Sequence, residues 1–287
     1  MGGILHSRHR PEGNLMSFIL DTREAKRIAT DGYAVFKQAL TKENLTQLQT
    51  ATKACLPASD FRGGNVVQWS PLFSADHNAA KLLFMDPDLR LLAERAVGSE
   101  VCCVMVDVNR AKGPTDCHSD AQDWELKGIR FNIYLQPLTP GSGALRIFPA
   151  SHKREIWERL VKSPALTSEL DSVCQPVSPG DILAMDLRLW HDVESDQTTP
   201  REFASVFFYA LPETPTEVEA IRRSARRNRR ALSIFKASDL EFSNFATSGA
   251  LPRSWENFLV EYGFLERRKF ESSITSASSP IVKTNVT

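Results

Sequence analysis

The sequence predicts a mainly β fold with flanking helices, a β-sandwich or barrel that carries its helices on the outside. Three observations lead to that prediction. From Val101 the hydrophobic period falls to two, in VCCVMVDVN (101–109), GIRFNIYLQPL (128–138), GALRIFP (143–149), GDILAMDLRLWH (180–191) and REFASVFFYALP (201–212), and that period marks strands with two unlike faces. Pro/Gly turns such as PLTPGSG and SPGD separate these segments, so the strands are short and regularly spaced, as in sandwiches and barrels. Before Val101 and after Pro212 the pattern is helical, which places helices on both sides of the β core along the chain.

The elements follow in order. Residues 1–16 are rich in Gly, His and Arg, and residues 271–287 are rich in Ser and Thr with few bulky side chains; both read as flexible tails that bury too little to order themselves. Between them 17–270 reads as one domain, with a β core at about 101–212 and a C-terminal helical region at 213–270. DTREAKRIATDGYAVF opens with Asp21 as a helix N-cap, and TKENLTQLQTATKACL opens with Thr41 as a cap and Asn44 at the capping-box position, with GYAVFK between them as a short strand. DPDLRLLAERAVG is a further helix with Asp86 as its cap, Pro87 at its first position and Gly98 as its stop.

Composition removes several function classes. Lys+Arg 35 balance Asp+Glu 35, so no long-range field draws the chain to nucleic acid or to an anionic membrane. Cys55, Cys102, Cys103, Cys117 and Cys174 are odd in number and show no C-x-x-C spacing, which reads as reduced thiols in the cytoplasm rather than a disulfide framework. There is no signal-peptide apolar region and no segment long and apolar enough to span a membrane, so a soluble intracellular protein is expected. Gly2 does not make a myristoylation site, because His6 stands where Ser or Thr is required.

The stretch CHSDAQDW (117–124) is unusually polar for its surroundings. Residues i and i+2 of a strand share a face, so His118 and Asp120 present an imidazole and a carboxylate side by side, with Ser119 turned away. His191, at the end of GDILAMDLRLWH, supplies a third ligand from another strand. Two His and one carboxylate on one face of an octahedron leave three positions open, as in non-haem Fe(II) oxygenases, whereas a structural Zn site takes four protein ligands. Arg201 begins the next strand ten residues after His191. A turn between neighbouring antiparallel strands would return its guanidinium to the metal pocket, ready to hold a carboxylate bidentately. A dicarboxylate cosubstrate, with one end on iron and the other on Arg201, fits these pieces, and 2-oxoglutarate is the obvious candidate.

His118-Ser119-Asp120, then GSGALRIFPASHK (141–153), then SPGDILAMDLRLWH with Arg201 ten residues on, form an ordered set that resembles the phytanoyl-CoA dioxygenase family of Fe(II)/2-oxoglutarate oxygenases over about residues 31–212. The resemblance implies a double-stranded β-helix of the jelly-roll, cupin-like type. It implies iron on His118, Asp120 and His191 as the catalytic centre, 2-oxoglutarate held by Arg201, and O2 as the oxidant. The expected reaction oxidises a small-molecule metabolite, most simply by hydroxylation, while 2-oxoglutarate is decarboxylated to succinate and CO2. Relatives that halogenate carry a small residue in place of Asp120, so hydroxylation is favoured. Trp124 resembles an aromatic that some members place beside the active site. One departure is PASH (149–152), where the family usually has Gly at the position of Ala150.

On GIRFNIYLQ, Arg130, Asn132, Tyr134 and Gln136 share one face, and Ile129, Phe131, Ile133 and Leu135 the other. If the polar face points into the barrel, Asn132 or Tyr134 could hydrogen-bond 2-oxoglutarate or substrate; if it points outward it is only solvated. The same choice applies to Asn109 and Gln68. His152 reads as structural, His77 as exposed, and His6 and His9 lie in the tail. In RRSARRNRR, Arg222, Arg223, Arg226, Arg227, Arg229 and Arg230 fall within an arc of about 160° on a helix, opposite Ile221, Ala225, Leu232 and Phe235. That basic face is solvated, or forms a rim that attracts an anionic small-molecule substrate. The rival readings of the whole chain are a catalytically silent barrel that binds a ligand, and an oxygenase of the same class acting on nucleic acid.

Overall fold

The computed structural model describes residues 22–56, 66–72, 76–195, 200–232 and 251–265. Four helices surround the first strands: α1 (Thr22–Asp31), α2 (Lys42–Cys55), α3 (His77–Phe84) and α4 (Pro87–Val97). Strands β1 (Tyr33–Phe36) and β2 (Val66–Pro71) lie among them. The β core continues with β3 (Val101–Lys112), β4 (Thr115–His118), β5 (Gly128–Tyr134), β6 (Ser142–Ile147), β7 (Val173–Gln175), β8 (Ile182–Asp186), β9 (His191–Ser195) and β10 (Arg201–Ala210). Helix α5 (Arg154–Lys162) and a 3₁₀ helix (Pro164–Glu169) fall between β6 and β7, and α6 (Pro215–Leu232) and α7 (Arg253–Glu261) follow the core.

The strands form two antiparallel sheets, one in the order β1-β8-β5-β10-β3-β2 and one in the order β4-β9-β6-β7. Two sheets with flanking helices are the jelly-roll arrangement expected. The alternation along each strand decides which face meets which layer. Ile129, Phe131 and Ile133 of β5, Val106 and Val108 of β3, and Val206 and Phe208 of β10 join one cluster with Ile28, Leu48, Leu83, Leu92 and Trp255 of the helices. Phe208 lies edge-on between Phe131 and Trp255, with ring centroids 5.8 and 6.1 Å away. The alternate residues Leu183, Met185 and Tyr134 pack instead with Leu145, Ile147 and Val193 of the smaller sheet. Both faces of the larger sheet are thus covered, one by the helices and one by the smaller sheet.

The helix ends match their sequence signals. Thr41 Oγ1 accepts from Asn44 N at 3.2 Å, and Asp86 Oδ1 accepts from Asp88 N and Leu89 N at 3.0 and 2.8 Å. Gly98 closes α4 in the left-handed conformation, φ 82°, which glycine adopts without a Cβ clash. Asp21, Phe235 and both tails lie outside the described residues.

Two strand expectations are corrected. GDILAMDLRLWH is not one strand: β8 ends at Asp186, a turn follows, and His191 opens β9 in the other sheet. Arg188 folds back on Asp186, with Nε 2.8 Å from Oδ1 and Nη2 2.6 Å from Oδ2, and Leu189 N donates to Asp186 O. The alternation of Leu187 and Leu189 imitated a continuing strand because both side chains are buried in the turn. β9 and β10 therefore belong to different sheets and are not the paired neighbours the spacing suggested.

Ala150 has φ 61°, a conformation that costs an L-residue roughly 1–2 kcal/mol. The turn is held there because Ala150 N donates to Asp31 O at 2.8 Å and Trp190 N donates to the buried Ser151 Oγ at 2.9 Å. Ala150→Gly should raise stability by about 0.5–1 kcal/mol, after the greater freedom of glycine in the unfolded chain is subtracted. Denaturant titration checks this, and a lower midpoint for the variant would contradict it.

Candidate metal centre and cosubstrate pocket

His118 ends β4 and His191 begins β9, and the two are register partners across the smaller sheet. Their ring centroids stand 4.5 Å apart. Asp120 lies in the bend just after β4 rather than on the strand, so the i, i+2 strand argument places it correctly for the wrong reason. One ligand atom from each of His118, Asp120 and His191 lies within 4.8 Å of the other two. His118 Nδ1 is 2.7 Å from Asp116 O and His191 Nδ1 is 3.0 Å from Leu189 O. A carbonyl only accepts, so each Nδ1 carries the proton and each Nε2 keeps its lone pair for a metal.

The electrostatics suit a cation. Burial, only partly opposed by Asp120, pushes His191 down to about 4, so the imidazole is neutral and ready to ligate at neutral pH. Burial works against the charge on Asp120, but Arg130 and the two imidazoles outweigh it and hold the carboxyl below its ordinary range. His152, buried with Nε2 3.2 Å from Ala29 O, is also lowered, mainly by burial; it supports the PASH turn and stands apart from the triad.

These two buried imidazoles set a pH dependence. The unfolded chain takes up their protons near 6.5, whereas folded His191 does so only near 4. Stability is complete above about 6.5 and falls as pH drops toward 4, because there the unfolded state binds more protons. Urea midpoints of the metal-free protein at a series of pH values check this, and His152→Gln should make the fall shallower. A midpoint that does not change between pH 7.5 and 5 would contradict it.

A cavity of about 160 Å³ opens beside the triad, between the two sheets. Asn109, Arg130, Asn132, Tyr134 and Arg201 line it from the larger sheet, and Thr115, His118 and His191 from the smaller. The polar face of β5 thus points inward. Asn132 Oδ1 accepts from Ser205 Oγ at 3.1 Å, and burial raises Tyr134 to about 12, keeping it a neutral donor.

Arg201 is 4% exposed. Its Nη1 donates to Gly113 O at 2.5 Å and its Nη2 to Thr115 Oγ1 at 2.6 Å. No carboxylate among the described residues pairs with it, and a buried cation without a counter-charge is costly. Gly143, at φ 105°, lies against it so closely that a Cβ there would come 3.0 Å from Arg201 Cδ. The site therefore offers a guanidinium, held in place by Gly113 O and Thr115 Oγ1, to an anionic group, and a triad suited to a divalent metal. Both features fit iron and a dicarboxylate.

Trp124 is not among the cavity lining. It packs on Trp157 with ring centroids 5.8 Å apart, under Arg188 at 4.6 Å, at the edge of an aromatic cluster with Phe148 and Trp190. Gln68 lies on β2 and His77 opens α3, and their side chains lie outside the described part of the structure. The sequence placed Arg130 on the polar face of β5 without deciding whether that face points inward, and gave no sign of its pairing with Asp120; Thr115 had no sequence signal, because β4 is only four residues long.

Helix α6 buries Ala220, Ile221 and Ala225 and exposes Arg222, Arg223, Arg226 and Arg227. That basic face touches the outer side of the segment that follows the triad. Arg223 pairs with Asp123, Arg227 Nη2 reaches Asp120 O at 3.5 Å, and Lys127 pairs with Glu217 at 2.5 Å. Among the described residues no helix is long and apolar enough to cross a membrane.

The sequence model of the family described as phytanoyl-CoA dioxygenase matches residues 28–200, more than half of the chain, and stops one residue short of Arg201. No curated protein sequence matches. Among solved structures, the carbocyclase SnoK from nogalamycin biosynthesis, described as non-heme and alpha ketoglutarate dependent, superposes with a TM-score of 0.57 at 18% identity, covering 69% of this chain and 87% of its own. The epimerase SnoN in complex with Fe3+, alpha ketoglutarate and nogalamycin RO gives 0.55 at 20% identity, covering 66% and 82%. EctD from S. alaskensis with 2-oxoglutarate and 5-hydroxyectoine gives 0.53 at 21% identity, covering 71% and 82%.

Proposed function

The chain belongs to the phytanoyl-CoA dioxygenase family and is an iron- and 2-oxoglutarate-dependent oxygenase; from that premise we propose that it hydroxylates a small-molecule metabolite. Residues 17–270 act as one catalytic domain, and the five cysteines, all free thiols, suit a reduced cytoplasm. His118, Asp120 and His191 hold the iron and Arg201 holds the distal carboxylate of 2-oxoglutarate. Iron with 2-oxoglutarate and O2 supplies the oxidising power, so that one oxygen atom enters the substrate and the other enters succinate, with release of CO2.

The chain's own groups bind and orient. The imidazoles of His118 and His191 and the carboxylate of Asp120 would hold the metal with three protein groups, and the metal would supply positions for exchangeable ligands. Arg201, desolvated between the sheets, fixes the far end of the cosubstrate. Asn132 and Tyr134 offer neutral hydrogen-bonding groups on the wall between them. The observation that carries the reading is the buried Arg201, without a carboxylate partner among the described residues, in the same cavity as the triad. A small-molecule substrate is supported by the occupants of two solved structures of this fold, nogalamycin RO and 5-hydroxyectoine.

Anaerobic addition of Fe(II) and then 2-oxoglutarate tests the site, the expected result being a visible charge-transfer band that requires both. Succinate release across a metabolite panel, with mass analysis of products, then tests hydroxylation, the expected gain being one oxygen atom. Folded protein that gives no band would overturn the reading in favour of a silent ligand-binding barrel.

A further inference from the structure

The three ligands of the triad are held by different means. Each imidazole belongs to a paired strand and has its Nδ1 fixed by the carbonyl two residues before it. Asp120 lies beyond the end of β4, outside the sheet ladders. Its backbone is tied nearby, since Ala121 N donates to Leu187 O at 2.7 Å and Ser119 Oγ donates to Ala121 O at 2.8 Å. Neither bond limits rotation of the Asp120 carboxylate.

Arg130 does limit it. Its Nη1 is 3.1 Å from both Asp120 oxygens. The guanidinium is itself fixed: Nη2 donates to Ser205 Oγ at 3.1 Å, Ser205 Oγ donates on to Asn132 Oδ1, and the ring of Phe207 lies 5.0 Å from the guanidinium carbon. The two side chains are 13% and 16% exposed. Arg130 Nε is buried with no hydrogen-bond partner among the described residues, so the guanidinium is set to satisfy Asp120 and Ser205 at the expense of its Nε–H.

We propose that Arg130 is a positioning residue: by holding both oxygens of the Asp120 carboxylate from one side, it fixes the rotamer that faces the two imidazoles. The inference rests on the reading that His118, Asp120 and His191 hold iron. A carboxylate has lone pairs enough to serve a metal and a guanidinium together. Fixing its rotamer before the metal arrives removes an ordering cost from metal binding, which for the histidines the backbone carbonyls already do. Outer partners of this kind are a general requirement of metal sites.

The test is the affinity of the metal-free protein for Fe(II) alone, measured anaerobically, with the charge-transfer band in added 2-oxoglutarate as a second readout. Arg130→Met should weaken Fe(II) binding by about 10- to 100-fold and displace the band, with the circular dichroism unchanged. Arg130→Lys should recover part of the affinity, because it keeps the charge and loses the fork. Ser205→Ala frees the guanidinium without removing it and should cost about 3-fold. Arg130→Met that folds and binds Fe(II) as tightly as wild type, or more tightly, overturns the proposal, since Arg130 would then only compete with the metal. If Arg130→Met does not fold, Ser205→Ala decides, and unchanged affinity overturns it. A wild-type protein that binds no Fe(II) overturns the iron reading and takes this proposal with it, which is a different outcome from tight binding that ignores Arg130.

Discussion

His191→Ala is expected to abolish iron-dependent decarboxylation of 2-oxoglutarate, with a loss well beyond the roughly 10- to 100-fold that follows removal of a ligand's outer partner. The residue is 3% exposed and starts β9 opposite His118, so alanine would remove the proposed ligand while the backbone pairing that builds the strand remains. What is left, one imidazole and one carboxylate, no longer caps a face of the coordination sphere. His118→Ala should behave alike. Anaerobic Fe(II) titration and succinate release report the two losses, and thermal melting shows that the fold persists. Full iron-dependent turnover in either variant would mean that the metal is held elsewhere.

Arg201→Met is the complementary case, with loss of the cosubstrate and retention of the metal. A desolvated charge-assisted pair is worth about 3 kcal/mol when one partner is removed, so the dissociation constant for 2-oxoglutarate should rise by about 100-fold, while Fe(II) affinity stays near wild type. Stability gives an independent readout. At 100 times its dissociation constant a ligand stabilises the folded state by about 2.7 kcal/mol, and the same 2-oxoglutarate concentration should stabilise Arg201→Met by less than about 1 kcal/mol. Arg201→Lys should fall between them, since a lysine keeps the charge but not the two-pronged donor. Equal 2-oxoglutarate affinity in Arg201→Met and wild type would remove Arg201 from the site.

Those two residues also show what could be read without coordinates. His118, Asp120, His191 and Arg201 were legible because each lies at the border of a strand-like segment and their order along the chain is informative as a set. The route between the last two was not. His191 and Arg201 read as ends of paired strands, whereas they stand on opposite sheets, because a turn lined by buried Leu187 and Leu189 has the same two-residue period as a strand. The face of β5 was undecidable from its alternation alone, since Arg130, Asn132 and Tyr134 are polar whether they meet water or line a cavity. Trp124 was read as an active-site aromatic and instead joins the packing beneath α5, where ring contacts carry no signature in spacing. Thr115 on β4 and the short β7 offered too few residues for any period to be recognised.

The position of β10 has a consequence for the order in which the molecule can assemble. β10 is the last strand among the described residues, yet it lies inside the larger sheet, between β5 and β3, which do not pair with each other in that sheet. On a growing chain the facing edges of β3, which ends at Lys112, and β5, which ends at Tyr134, must wait unpaired until β10 is made from Arg201 onward, a state that is prone to association. When β10 arrives it closes both gaps and brings Arg201 into the cavity in the same event. The arrival of the buried guanidinium and the completion of the sheet therefore belong to the same step of assembly.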